Sequence, residues 1–356
     1  MLTFVPTVLA ESHVLAETNP TTHEPFFPWW VWVITVAGVL VVMAIDLFVV
    51  DRNPHEVKTS EAAKWVVFYV GLAVAFGIAM WLLVDAKHGK EFFAGYITEY
   101  SLSVDNLFVF VLIMGTFAVP KIHQHKVLLI GILIALVMRA GFIAAGAAVI
   151  SRFQWVFFIF GLFLLFTAWK LAFQGDDDEE EFKENRLIVL IRKVIPVTDE
   201  YHGAQSFIKR NGKRFATPML IVMIAIGSTD LLFALDSIPA IFGLTKEPYI
   251  VFTANAFALM GLRQLFFLIG GLLEKLVYLS IGLAIILGFI GIKLIFEALS
   301  GIGQTWAPHI GIELSLGVII GVLLITTVLS LAKSRAETAR ANVARVDRVE
   351  DDVNEE

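Results

Sequence analysis

Nine long apolar runs, separated by short polar segments, follow one another along the 356 residues. Each is long enough to cross a bilayer, which takes about 20 residues of helix. They fall at 28–50, 65–84, 91–117, 127–149, 153–173, 217–243, 249–272, 276–298 and 309–332. The pattern predicts an all-α, polytopic bundle of about nine transmembrane helices. Trp29, Trp30 and Trp32 at the first entry, and Trp155 at the fifth, suit an interfacial aromatic belt. Thr217-Pro218 reads as an N-cap followed by proline at the first helical position, and Pro120 suits the exit of the third span.

Composition sharpens this picture. Apolar residues make up 58% of the chain and charged ones only 17%, against about a quarter charged in soluble domains. The net charge of −6 arises mainly from an acidic loop and tail. There is no cysteine, which excludes disulfides, thiolate metal sites and cysteine nucleophiles. The first 26 residues hold no Lys or Arg, so they lack the basic start of a secretory signal, and the first apolar run is expected to remain as a span.

The distribution of Lys and Arg sets an expected orientation. With the N-terminus outside, 19 basic residues lie inside and 4 outside, while Arg139, Lys170, Arg263 and Lys293 lie within spans. The positive-inside rule then predicts a bacterial inner-membrane protein with its N-terminus out and C-terminus in the cytoplasm. The expected organisation is an extracytoplasmic segment 1–27, peripheral spans within 28–84, a three-helix unit 91–173, a cytoplasmic loop 174–216, a second three-helix unit 217–298, a ninth span 309–332 and a charged tail 333–356.

The two three-helix units resemble each other. Spans 3–5 contain "EYSLSVDN", then Arg139, then Lys170; spans 6–8 contain "DLLFALDS", then Arg263, then Lys293. Glu99 and Asp105 are six residues apart, as are Asp230 and Asp236. Units of three spans insert with opposite orientation, which predicts an inverted 3+3 repeat, an architecture of transporters that places the site near the bilayer midplane.

A charged side chain at the centre of a span costs about 2.5–3.5 kcal/mol, so four acids in two helices call for a purpose. Six residues of regular helix separate two side chains by about 9 Å and about 120°. One unbroken helix therefore does not bring Glu99 and Asp105 onto one ion, and ligands from both units are required. Asn106 and Ser237, each directly after its Asp, add neutral oxygens. Pro239 has no N–H, which frees the carbonyl of Leu235 as a further oxygen. Carboxylate, amide, hydroxyl and carbonyl oxygens suit Mn²⁺, Mg²⁺ or Ca²⁺. The candidate metal site is Glu99, Asp105, Asn106, Asp230, Asp236 and Ser237, with Arg139 and Arg263 compensating its charge. The plain alternative is that the acids and arginines are structural ion pairs.

Other polar residues carry plainer expectations. Asp46 lies near the cytoplasmic end of the first span, where a snorkelling or capped acid and a functional one are both open; Lys170 is expected to snorkel at its boundary, and Lys293 is placed to pair with Glu297 at i,i+4. His123 and His125 form an H-x-H in a short loop, and Asp176 to Glu181 form a solvated acidic run. An intramembrane aspartyl protease also needs two membrane aspartates, but "SVDN" and "ALDS" are not the contexts of such enzymes, and no enzymatic activity is expected.

The stretches "EYSLSVDNLFVF", "QHKVLLIGILIALVMRAGFI" and "STDLLFALDSIPAIFGLTKEPYIVFTANAFALMGLR" resemble the TerC family of integral membrane proteins over roughly residues 28–332. The resemblance implies manganese export or homeostasis within the LysE-like transporters, with Glu99, Asp105, Asn106, Asp230, Asp236 and Ser237 as the metal site. The family takes its name from tellurium resistance, and an acidic site does not suit an oxyanion. Where the family pattern has a further acid before its second motif, this chain has Gly227. The expected partners are a transported divalent ion and the lipid bilayer, with no nucleic acid and no resident cofactor. The alternative reading is a non-transporting membrane scaffold for metal or tellurium stress, or for metallation of exported proteins.

Overall fold

The computed structural model describes residues 27–52, 59–153, 155–173, 196–198, 200–203, 205–210, 213–269, 278–304 and 306–355. The N-terminal segment before Phe27 and the acidic run Asp176 to Glu181 lie outside them. Nine helices among the described residues are long and apolar enough to span a membrane. They are α1 (Trp29–Arg52), α2 (Thr59–Leu83), α3 (Ala86–Thr116), α4 (Lys121–Arg152), α5 (Val156–Phe173), α6 (Pro218–Phe242), α7 (Pro248–Ile269), α8 (Leu279–Gly301) and α9 (Ile312–Glu355). The fold is an all-α, multi-pass bundle, with one addition that the hydropathy pattern does not reveal. The polar loop before α6 contains a two-stranded antiparallel hairpin, β1 (Phe207–Arg210) and β2 (Lys213–Ala216).

Helix ends follow local chemistry. Asp85 caps α3 by accepting a 2.8 Å hydrogen bond from the His88 backbone N–H. Thr217 occupies the N-cap position of α6 and Pro218 its first turn, but the Thr217 hydroxyl does not cap the helix. It donates instead to the Gln205 carbonyl, tying the helix to the hairpin. Between α3 and α4, Ala118 adopts φ 48°, and its N–H and that of Val119 donate to Gly115 O and Met114 O. This left-handed residue reverses the chain within four residues, before Pro120 opens α4. The Tyr201 hydroxyl pins the loop before the hairpin to the end of α3 through Phe117 O, 2.7 Å away.

α7 is the central helix: 94% of its spanning segment Pro248–Leu268 is buried. α1, α2 and α9 are largely exposed, with apolar side chains such as Ile34, Val67, Phe68 and Leu324 facing outward as lipid requires. Trp29, Trp30 and Trp155 are exposed, whereas Trp32 turns inward onto Tyr249 and Phe252. The main helix pairings are α5 with α8, α3 with α7 and α4 with α6. Exchanging α3–α5 for α6–α8 leaves this set of pairings unchanged.

Apolar burial does not drive association between helices already in lipid, so close backbone approach matters more. A Cβ on Gly161 would lie 2.8 Å from Gly291 O, and one on Gly291 would lie 2.9 Å from Gly161 O. These glycines therefore let α5 and α8 touch backbone to backbone. At the α4–α6 contact, a Cβ on Gly227 would meet Ile134 Cγ2 at 2.7 Å and Gly131 O at 3.2 Å. Gly227 is thus a packing position, with no room there for an acidic side chain as the backbone stands.

Candidate ion site in the membrane

Arg139 projects from the middle of α4 into the bundle and is completely buried. Its Nε donates to Asp230 Oδ2 at 2.7 Å and its Nη2 to Asp230 Oδ1 at 3.1 Å, making a two-pronged pair with α6. Its Nη1 donates to Glu99 Oε1 on α3, to Asn255 Oδ1 on α7 at 2.6 Å and, more weakly, to Ser237 Oγ at 3.4 Å. Four helices thus converge on one guanidinium. Glu99 Oε1 also accepts from Ser103 Oγ at 3.3 Å, while Glu99 Oε2 is buried with no hydrogen-bond partner among the described residues.

The structure brings Glu99, Asp230, Ser237 and Arg139 of the expected set together. Asp236 is half-buried within electrostatic reach of Glu99 and Arg139, but joins none of the cluster's hydrogen bonds. Asn106 is also half-buried and outside that network. Asp105 lies on α3 six residues after Glu99, and its side chain is not among those described. Among the described residues no three His, Asp or Glu side chains are gathered as a ready metal site.

Arg263 departs from the expectation. Its Nη2 donates to Asp46 Oδ2 on α1, which also accepts from Tyr69 Oη on α2 at 2.7 Å. Arg263 therefore compensates Asp46, and it makes no ion pair with Glu99, Asp230 or Asp236 among the described residues. Asp46 is itself only 4% exposed, so it is a buried ion-pair member and not a snorkelling acid. The sequence pattern around Arg139 and Arg263 is alike, and only their packing separates the roles.

Asn255 belongs to the site although no sequence motif singles it out. The available signal is its polarity: "FTANAFALMG" places an amide in an otherwise apolar span, and a buried amide requires partners. Its Nδ2 donates to Val251 O at 3.0 Å, which turns Oδ1 toward Arg139.

Other expectations change as well. Lys293 donates to Ser315 Oγ at 3.0 Å, while Glu297 pairs with Lys246 and lies 3.7 Å from His309 Nδ1. His123 and His125 lie in the first turns of α4, not in a loop. His125 is buried and stacked on Phe267, with ring centroids 5.7 Å apart. Buried Glu91 accepts from Thr245 Oγ1 at 2.6 Å, which ties α3 to the turn between α6 and α7.

The electrostatics of the central cluster follow from its composition. Glu99 and Asp230 share one guanidinium in a fully buried site. Charge-assisted, two-pronged hydrogen bonds hold the arginine in register. The second Glu99 oxygen remains an unused acceptor.

A family profile described as "Integral membrane protein TerC family" matches residues 84–338, which include every member of this cluster. The chain belongs to the TerC family. It is 45% identical over 328 residues to an uncharacterised membrane protein of Mycobacterium tuberculosis, covering 88% of this chain and 83% of that protein. It is 42% identical over 331 residues to an uncharacterised membrane protein of Myxococcus xanthus, covering 93% of this chain and 100% of that protein. It is 38% identical over 301 residues to the putative membrane-bound redox modulator Alx of Escherichia coli, covering 82% of this chain and 91% of Alx. No solved structure matches. This TerC-family chain is thus a multi-pass integral membrane protein with bacterial relatives, and none of these three relatives carries the name of an enzyme.

Proposed function

We propose that this TerC-family protein carries a hard divalent cation, Mn²⁺ first among the candidates, out of the cell through the Glu99–Arg139–Asp230 cluster. The observation that carries this reading is the buried arginine joining one acid from each three-helix unit while Glu99 keeps a free buried oxygen. In the ion-free state Arg139 serves as the resident counter-ion. An arriving divalent cation takes carboxylate oxygens from Glu99 and Asp230, with Asp105, Asp236, Asn106 and Ser237 as further ligands. Arg139 then withdraws because the cation replaces its charge. Oxygen-only ligands favour Mn²⁺, Mg²⁺ and Ca²⁺ over softer ions.

The exchange-symmetric helix pairings support alternating access, in which one three-helix unit rocks against the other about a central site. The printed name of Alx, a putative redox modulator, is compatible with this reading. A chain without cysteine has no thiol–disulfide chemistry of its own, whereas moving a redox-active metal alters the redox state of a compartment.

The test is Mn²⁺ uptake into inside-out vesicles containing the native protein or its Glu99→Gln, Asp105→Asn, Asp230→Asn and Asp236→Asn variants. Uptake by the native protein that disappears in the variants is expected. Equal accumulation in native, variant and empty vesicles overturns the transport reading and favours a scaffold.

A further inference from the structure

The two ends of the bundle hold their cations differently. Around the starts of α3 and α7, lysines meet carboxylates: Lys87 lies 3.8 Å from Glu91, Lys90 lies 2.7 Å from Glu313, and Lys246 pairs with Glu297. At the end where α4 and α6 begin, Lys121, Lys209 and Arg214 are exposed and make no ion pair among the described residues. No Asp or Glu occurs between Glu200 and Asp230, so the hairpin has no acid of its own. Its register also sets cation against cation: Lys209 stands opposite Arg214, and Arg210 opposite Lys213. Like charges directly opposite each other destabilise a strand pair.

The hairpin is fixed beside the membrane. Only Thr217 separates β2 from the spanning helix α6. The Thr217 N–H donates to Ser206 O at 3.0 Å, and the Ala216 N–H and carbonyl bond to Pro196 O and the Thr198 N–H, each at 2.9 Å. A four-residue strand is about 13 Å long, and the headgroup layer is about 5–8 Å deep on each side of the bilayer. Lys and Arg side chains on the hairpin are therefore long enough to reach that layer. Phe207, 51% exposed, shares a strand face with Lys209 and Arg214, whereas Ile208 and Phe215 on the other face are half-buried.

We propose that the β1–β2 hairpin binds the phosphates of anionic lipid headgroups, and that this contact neutralises its facing cations and seats the start of α6 at the membrane interface. Basic residues clustered beside the end of a spanning helix are drawn to an anionic leaflet. The exposed Phe207 ring adds an apolar contact next to Lys209 and Arg214, a combination suited to the boundary between headgroups and acyl chains. Lys121 stands at the same end, because the Tyr201 hydroxyl holds the loop leading into the hairpin against the α3–α4 turn through Phe117 O. A lipid partner is favoured over a soluble polyanion because the hairpin is tied to the first residue of a span and carries an apolar ring among its cations. The contact is independent of the ion carried, and it concerns a surface that the central cluster does not use.

The experiment places the full chain in nanodiscs of phosphatidylcholine, alone or mixed with phosphatidylglycerol, and follows amide hydrogen exchange in a peptide covering residues 207–216. Neutralisation of the facing cations is expected to slow exchange about fivefold when phosphatidylglycerol is present. Salt at about 1 M, which shortens the screening length to about 3 Å, is expected to erase the difference. Lys209→Gln/Arg214→Gln is expected to exchange alike in both lipids, and the charge-preserving Lys209→Arg/Arg214→Lys to keep the native difference. Equal exchange of the native chain in the two lipids overturns the proposal. So does a difference that salt leaves intact, one that survives in Lys209→Gln/Arg214→Gln, or one that is lost in the charge-preserving variant. If Lys209→Gln/Arg214→Gln does not fold, the lipid and salt responses of the native chain decide by themselves. Slowing by polyglutamate or RNA in phosphatidylcholine discs, with none from phosphatidylglycerol, overturns the lipid contact and assigns the surface to a soluble polyanion.

Discussion

Arg139 and Asp230 are joined side-on by two hydrogen bonds of 2.7 and 3.1 Å, across the contact where Gly131 and Gly227 bring α4 and α6 together. The small residues and the ion pair are parts of one arrangement. Close backbones let the guanidinium meet the carboxylate in its preferred planar geometry. That geometry also leaves Nη1 directed at Glu99 and Asn255.

Arg139→Gln is expected to abolish transport and to destabilise the protein by about 3–5 kcal/mol, the cost of leaving buried carboxylates without their counter-ion. Arg139→Lys is expected to recover part of the stability and little of the flux, since an ammonium does not form the two-pronged bond. Thermal unfolding in detergent, paired with vesicle uptake, checks both. Unchanged uptake in Arg139→Gln would remove the counter-ion role.

Asn255→Ala takes one acceptor from Arg139 Nη1. The expected cost is about 1–3 kcal/mol, that of a buried hydrogen bond lost on one side. A lower unfolding temperature together with altered Mn²⁺ flux would place Asn255 in the site. A change in unfolding temperature alone would make it purely structural.

Gly227→Ala places a methyl group 2.7 Å from Ile134 Cγ2. Overpacking of this kind costs about 1–3 kcal/mol, and Ile134→Ala in the same chain is expected to relieve it. A double-mutant cycle on unfolding temperatures reads the coupling directly.

Asp85 gives a pH dependence at the start of α3. Partial burial by itself raises its pKa, but the His88 backbone N–H, the His88 ring and the Lys87 backbone N–H outweigh that effect and hold the carboxyl below its ordinary value. A lowered folded-state pKa means that the cap stabilises the protein above the unfolded-state value and that this contribution is lost as the pH falls through the folded-state value. Asp85→Ala is therefore expected to cost about 1 kcal/mol at neutral pH. The difference from the native protein should close on acidification below the ordinary aspartate value of 3.8. Unfolding curves of both proteins across that range make the comparison.

Much of this arrangement was legible in the chain itself. The apolar run lengths located all nine spans, although α2, α3 and α4 begin five or six residues before their apolar stretches and α9 continues through the charged tail to Glu355. Lys87, His88 and Lys90 lie in α3, where Asp85 caps the first turn, and Lys121 to Lys126 lie in α4. The hairpin at 207–216 was not visible, since a short polar strand pair carries no hydropathy signal. The acids at 99 and 230 and the arginine at 139 stood out because charge within a span demands a reason.

By itself, the sequence determined that the chain crosses the membrane many times and that certain charged residues are buried there, because hydropathy is a local property summed over about 20 residues. Tertiary structure alone decided which charges meet. Arg139 lies 91 residues from Asp230 and 116 from Asn255, and Arg263 lies 217 from Asp46. Two arginines in similar local surroundings took different partners, one between the three-helix units and one against α1. That choice depends on helix rotation and on which backbones approach closely, which glycines at distant positions set jointly and no single stretch of sequence contains.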